Sequence, residues 1–242
     1  MIAISPHLDD AAFSAFATLS EAESVHVITV CAGIPPESTS PTAYDRLTGA
    51  GVPAARYRQR VAEDDAAMRA QGWTSERLTY LDSPYRHGKR SLPDVVVDVG
   101  NLVVDIPRAT VLVPAGIGQH PDHLMVRDAA LLALRESDHE LRLYADLPYA
   151  SRYGWPGWVS GVAADPHLDV DAFYAEALGT LSRVFELGEP EVMELDSGMQ
   201  ERKLALMRIY ASQFPAMEAG PSRNLTHPER IRHEVWWPVR RR

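Results

Sequence analysis

Lysine is almost missing from this chain: Lys89 and Lys203 are the only two, and arginine supplies every other fixed positive charge. Acidic residues outnumber basic ones and the net charge is −9, which argues against nonspecific nucleic-acid binding. Cysteine is scarcer still. The single Cys31 rules out an internal disulfide framework, and its place inside an apolar, strand-like run marks it as core. No run of about 18 apolar residues occurs, so nothing reads as membrane-spanning. The first residues lack the basic segment and apolar run of a signal peptide. These absences together predict a soluble, cytoplasmic protein. No repeat of fixed period is present, and no Gly-x-Gly-x-x-Gly follows the first apolar run, which weakens a nucleotide-binding reading.

What is present is 242 residues, 45% of them hydrophobic, enough for one large α/β domain or two small ones. Short apolar or β-branched runs at 1–5, 24–32, 78–81, 110–113 and 141–145 read as strands. Helical spacing recurs at 11–22, 53–71, 93–105 and 121–136, with Pro53 near the start of one helix and Gly72 just past its end. Strands alternating with helices predict a mostly parallel sheet covered on both faces. Residues 33–52, rich in Gly, Pro, Ser and Thr, read as a long loop, a kind that often serves as a lid. Residues 83–92 and 150–169 read as loops too. In the last third, 170–187 and 199–213 read as helices and 192–196 as an edge strand. Arg230 to Arg242 read as a basic tail containing Trp236, Trp237 and Pro238, a candidate partner-docking or subunit-contact segment.

Two clusters carry chemistry. Residues 5–14, Ser-Pro-His-Leu-Asp-Asp-Ala-Ala-Phe-Ser, place His7, Asp9 and Asp10 between a strand and a helix. Residues 119–123, Gln-His-Pro-Asp-His, place His120 and His123 after another apolar run. Loops at the carboxyl ends of strands are where α/β sheets hold ligands. His7, Asp10 and His123 would give a zinc ion three protein ligands and leave one position for water, a set that also suits iron(II) or manganese. Asp9 is then placed to take a proton from that water, and His120, as imidazolium, to stabilise an oxyanion or protonate a leaving amine. Helix capping explains either cluster alone, since Asp and the His-Pro pair both suit helix starts, but capping does not call for the histidines. His26 reads as a satisfied strand residue. His87, His139, His167, His227 and His233 read as solvent-facing.

On these residues the chain resembles the PIG-L/LmbE-like N-deacetylase family. The family's Pro-His-Pro-Asp-Asp-Glu motif stands here as Pro6-His7-Leu8-Asp9-Asp10-Ala11, and its His-Pro-Asp-His motif is intact at 120–123. Arg60 with Glu63 resembles the family's Arg-x-x-Glu helix, and Asp82-Ser83 falls where some members carry a substrate-contacting Asp. Lys203, Tyr210, Ser212 and Gln213 resemble its C-terminal signature. The resemblance implies one domain over 1–242 with a Rossmann-like α/β fold, a three-layer sandwich around a mostly parallel sheet. It implies zinc on His7, Asp10 and His123, Asp9 as base, His120 as its charged partner, and Arg60 and Asp82 on the substrate. That substrate would be an N-acetylated, N-acetylglucosamine-like sugar in a small molecule or natural-product precursor. A metal-dependent amidase or esterase on another acylated molecule, or a non-catalytic metal-binding domain, is the alternative. Neither nucleic acid nor membrane is an expected partner, and homo-oligomer formation is left open. Some relatives carry a tyrosine that helps bind the oxyanion where Gly118 stands here. Tyr149 or Tyr153 could take its place, or the metal and His120 could suffice.

Overall fold

The protein was analysed as a computed structural model, which describes residues 1–86, 92–163, 166–218 and 224–242. Strands β1 (Ile2–Ser5), β2 (His26–Thr29), β3 (Thr74–Arg77), β4 (Thr110–Pro114) and β5 (Glu140–Tyr144) run parallel in the spatial order β3-β2-β1-β4-β5. Three more, β6 (Phe185–Leu187), β7 (Glu191–Glu194) and β8 (His233–Arg241), join antiparallel. β8 lies against β5, and β6 and β7 follow one another along its other edge. The chain builds outward from β1 to β3, then returns to the far side of β1 with β4. The switch in strand order therefore falls between β1 and β4, where such sheets bind ligands beyond their carboxyl ends.

The sheet forms where the sequence is β-branched and apolar. All four residues of β1 and the last four of β4 are buried, so helices must cover both faces there. The helices are α1 (Asp10–Ser14), α2 (Phe16–Ser20), α3 (Ala43–Leu47), α4 (Pro53–Gln71), α5 (Leu92–Val103), α6 (Pro121–Ala133), α7 (Gly157–Ser160), α8 (Val170–Gly179), α9 (Ser197–Met207), α10 (Phe214–Met217) and α11 (Pro228–Ile231). Helix α5 buries Val95, Val99 and Val103, one residue per turn, and packs along α6. Helix α4 starts on Pro53 and ends on Gly72 in the left-handed region. Its buried stripe runs Ala54, Tyr57, Arg60, Asp64, Ala67, so two charged residues occupy core positions.

Several expectations from the sequence change. The strand expected at 78–81 lies four residues earlier, at β3. That segment is the polar, half-exposed Thr-Ser-Glu-Arg at the sheet edge, where pairing needs no apolar pattern; Thr79 makes only an isolated bridge to Cys31. The helix expected at 11–22 is broken at Ala15 into α1 and α2. The loop 33–52 contains α3, started by a capping box between Thr42 and Asp45. The helix expected at 170–187 stops at Gly179, and Phe185–Leu187 becomes β6. The helix expected at 199–213 is α9, which ends at Met207. The basic C-terminal segment is no free tail: it is β8, paired on both edges. His233 in it is buried against Trp155 rather than solvent-facing. His87 and part of the loop expected at 83–92 lie outside the described residues. Among the described residues no helix is long and apolar enough to cross a membrane.

One buried ion pair fastens β8. Lys203 on α9, fully buried, donates to Glu234 Oε1 at 2.8 Å. The same carboxylate accepts the Ala17 and Thr18 backbone N–H groups at 2.9 and 3.1 Å, where α2 begins. Removing the lysine would strand a buried carboxylate, a change that typically costs roughly 3–5 kcal/mol. Lys203→Ala is expected to lower the free energy of unfolding by an amount of that order without changing the active-site residues, as measured by equilibrium urea denaturation of the variant and the parent.

Candidate active site

The two clusters read from the sequence meet at the carboxyl ends of β1 and β4. Ser5 closes β1 and organises the turn after it: its hydroxyl donates to the His7 carbonyl at 2.5 Å and accepts the Ala11 N–H at 3.0 Å. Asp10 Oδ2 then accepts the His7 backbone N–H at 2.8 Å. Asp9 stands at the start of α1 but its side chain caps nothing, so capping does not explain it. On the other side, His120 does cap α6, with Nδ1 accepting from the Asp122 N–H at 3.3 Å and Pro121 opening the helix. One turn into α6, His123 is fully buried and faces Asp10.

Asp10 Oδ2 is the meeting point. It lies 3.0 Å from His7 Nδ1 and 3.2 Å from His123 Nε2, and the His7 and His123 rings are 5.4 Å apart between centroids. The ligand atoms of the three residues lie within 4.8 Å of one another. His123 Nε2 is buried with no hydrogen bond of good geometry among the described residues, and it borders the space the three residues share. Two imidazoles and a carboxylate so placed fit a divalent cation.

Each histidine is oriented by a second carboxylate, and these two residues had no role in the sequence reading. Asp146, at the end of β5, holds His123 Nδ1 at 2.7 Å and accepts the Ile117 N–H at 2.8 Å. Asp122 holds His7 Nε2 at 3.2 Å and is itself fixed by the Ser83 N–H at 2.8 Å and by Arg86. Carboxylate–histidine pairs of this kind set the tautomer and aim the free nitrogen at a metal. The signal for Asp146 was its position, an acid just beyond a buried strand; that for Asp122 was its place between the two motif histidines. A second grouping, His7 with Asp82, His120 and Asp122, is equally compact. It would use the His7 nitrogen already committed to Asp122, so it reads as the outer layer of the same site.

The electrostatics follow from this packing. Burial opposes charge on His123, but Asp10 and Asp146 outweigh it and raise its pKa to about 9. Burial likewise opposes charge on His7, and Asp82, Asp10 and Asp122 overcome it, so its pKa is also raised. Asp10 is driven upward by burial but held well below the usual carboxylate range by His123 and His7. In the cation's absence, protons on the imidazoles neutralise the clustered acids, so a bound cation must displace them. Asp9 is raised by burial, with Arg60 countering. His120 differs from the expected imidazolium: burial, then the charges of His7 and His123, lower it to about 4. It is neutral near pH 7, and because Nδ1 accepts the Asp122 N–H its hydrogen sits on Nε2.

Above these residues opens a cavity of about 350 Å³. Arg60 and Asp82, both expected at the substrate, line it. Arg60 lies 3.4 Å from Asp9 Oδ1 and 4.0 Å from Asp82 Oδ2, buried over the Tyr57 ring, which excludes a surface ion pair. Asp82 accepts the Tyr57 hydroxyl at 2.7 Å, while its Oδ1 is buried 3.5 Å from His7 Nε2, with no hydrogen bond of good geometry among the described residues. The opposite wall comes from the 33–52 loop and the C-terminal signature. Glu63 accepts from the Ser212 N–H at 3.0 Å and hydroxyl at 2.7 Å, and the adjacent Gln213 accepts the Tyr44 hydroxyl of α3 at 3.2 Å. Tyr149 lies beside His120, whereas Tyr153 packs on Phe173 and does not line the cavity.

A search of curated proteins found no match. Among solved structures, a teicoplanin deacetylase in a zinc inhibited form superposes with a TM-score of 0.77 at 28% identity, covering 100% of this chain and 98% of that one. The A40926 pseudoaglycone deacetylase superposes with a TM-score of 0.73 at 31% identity, covering 99% and 96%. The N,N'-diacetylchitobiose deacetylase of Pyrococcus horikoshii, at 17% identity with a TM-score of 0.52 over 93% and 72%, shares the fold. The family model PIG-L, GlcNAc-PI de-N-acetylase, matches residues 2–134, which carry both His/Asp clusters. With that match over more than half its length and its fold shared with solved deacetylases, this chain belongs to the PIG-L family of de-N-acetylases, hydrolases that cleave amide bonds.

Proposed function

We propose that this protein is a zinc-dependent N-deacetylase that removes acetyl from an N-acetylglucosamine-like sugar carried on a small molecule or natural-product precursor. The observation that carries the reading is the convergence of His7, Asp10 and His123, with His7, Asp10 and the adjacent Asp9 lining the cavity. Three protein ligands, which would leave a position for water, are the pattern of catalytic rather than structural zinc. Solved structures similar over nearly the whole chain are named as deacetylases of teicoplanin and of the A40926 pseudoaglycone, which supports an amino sugar on a larger small molecule.

Zinc, when bound, supplies an acidified water and polarises the acetyl carbonyl. The chain's own residues do the rest. Asp9 takes the water's proton as the oxygen attacks the carbonyl carbon; its raised pKa strengthens it as a base, and Arg60 keeps it ionised and in place. His120 offers its Nε2–H to the developing oxyanion without bringing charge to the site in advance. As the carbon–nitrogen bond breaks, Asp9 returns the proton to the leaving amine, giving acetate and the free amino sugar. Asp82, which lines the cavity beside Arg60, is placed to accept a hydroxyl of the sugar. Asp146 and Asp122 hold the two histidines in the tautomers that leave a lone pair for the metal.

Acetate release from a panel of N-acetylglucosaminides, other acetamides and acetate esters tests the substrate class: sugars are expected to turn over, and activity confined to the esters would overturn the reading. Asp9→Ala is expected to lower kcat by about 10²–10⁴-fold with zinc retained, read from acetate release beside metal analysis. Asp146→Asn keeps every zinc ligand and is expected to weaken zinc binding roughly 10–100-fold, measured by competition with a chelator.

A further inference from the structure

We infer that Tyr57 is a positioning residue for sugar recognition: one side chain holds both Asp82 and Arg60 in the places from which they would meet the substrate. The inference rests on the functional reading above. It concerns how the sugar is bound, not how the amide is cut.

Asp82 needs an outside hold. It precedes the short turn Ser83–Tyr85, and its side chain caps nothing there. Its charged neighbours are His7 Nε2 at 3.5 Å and Arg60 Nη1 at 4.0 Å. Attraction at those separations depends little on angle and leaves the carboxylate free to turn. The Tyr57 hydroxyl lies 2.7 Å from Oδ2, a short hydrogen bond to an ionised acceptor. It is the one hydrogen bond of good geometry that the Asp82 side chain makes among the described residues. Tyr57 is only 1% exposed, so its hydroxyl bears on the substrate through Asp82 rather than directly.

The same ring carries Arg60. Tyr57 and Arg60 stand three residues apart on α4, so they share its cavity face. The guanidinium carbon sits 5.0 Å from the ring centroid, a cation–π contact that steadies Arg60 beside Asp9 and Asp82. Tyr57 is gripped in return by the turn it fixes. Tyr85, the last residue of that turn, packs edge to face on its ring at 5.6 Å. The Tyr85 hydroxyl is bound to both oxygens of buried Asp45, at 2.7 and 2.8 Å, so α3 braces the far side. The turn therefore meets Tyr57 at two points, the carboxylate of Asp82 and the ring of Tyr85. A phenylalanine at 57 would pack the same ring, so packing alone does not account for the hydroxyl.

The test uses zinc-loaded Tyr57→Phe, which keeps the ring under Arg60 and removes only the hydroxyl. Acetate release is followed on a methyl N-acetylglucosaminide and on its 3-, 4- and 6-deoxy analogues. The parent is expected to disfavour at least one deoxy analogue by about 10–100-fold in kcat/KM, the loss of a hydrogen bond to a charged group. Tyr57→Phe is expected to raise KM for the full sugar about 10-fold, with kcat within about threefold and zinc content equal to the parent's, and to shrink that discrimination to about threefold or less. Asp82→Ala is expected to abolish the same discrimination, and adding Tyr57→Phe to it to change KM by less than about twofold. Unchanged KM in Tyr57→Phe overturns the inference. So does a raised KM with the deoxy discrimination intact, or effects of the two substitutions that simply add, since either makes Tyr57 a packing residue. Loss of zinc from Tyr57→Phe overturns it as well, and so does a parent that turns over all three deoxy analogues as well as the full sugar. If the parent releases acetate from no sugar, the functional reading fails and this inference with it; an active parent beside an indifferent variant removes the inference alone.

Discussion

One carboxylate oxygen, Asp10 Oδ2, joins pieces of chain more than a hundred residues apart. It stands 3.0 Å from His7 Nδ1 and 3.2 Å from His123 Nε2. Without a cation or protons between them, the buried acids around this point would repel one another and leave charge uncompensated in a poorly solvated place. The site is therefore held together by whatever positive charge occupies it. The raised pKa values of His7 and His123 and the lowered one of Asp10 express that need in the protein's own groups.

The fold serves this convergence. The order of strands puts β1 and β4 side by side, so the turns that follow them open at the same end of the sheet. β5 brings Asp146 to the outer side of His123, and the segment around Ser83 brings a backbone N–H and Arg86 to Asp122. Both histidines are thus fixed by a carboxylate from a different element, which limits their freedom. The more distant walls are tied the same way, with α4 acting as the common post. Its Tyr57 and Arg60 face the cavity, Glu63 clamps Ser212, and Asp64 binds Arg77 of β3 and Tyr210.

Much of this was legible in the sequence because the groups proposed to act cluster at strand ends. His7, Asp9, Asp10, His120 and His123 lie in two short motifs, and the β-branched runs before them read as buried strands. Arg60 and Asp82 were found only through resemblance, since a helix arginine and a turn aspartate carry no local signal. Asp146 was missed because it bears on the site only through His123 Nδ1, a contact visible only once β5 is placed beside β4. The C-terminal segment was misread as a tail because arginine at the strand ends hides the paired Val235–Trp237 core within it. The edge strand β3 was displaced because an exposed edge places little demand on hydrophobicity. The ionisation of His120 was also beyond the sequence: its neutrality comes from burial beside two other imidazoles.

The central claim is that His7, Asp10 and His123 bind one metal ion between them. Elemental analysis of the purified protein beside its His123→Ala variant, both desalted under the same conditions, tests it most directly. One zinc per chain in the parent and close to none in the variant is the predicted result. Equal metal in the two proteins, or none in either after incubation with zinc, would contradict it.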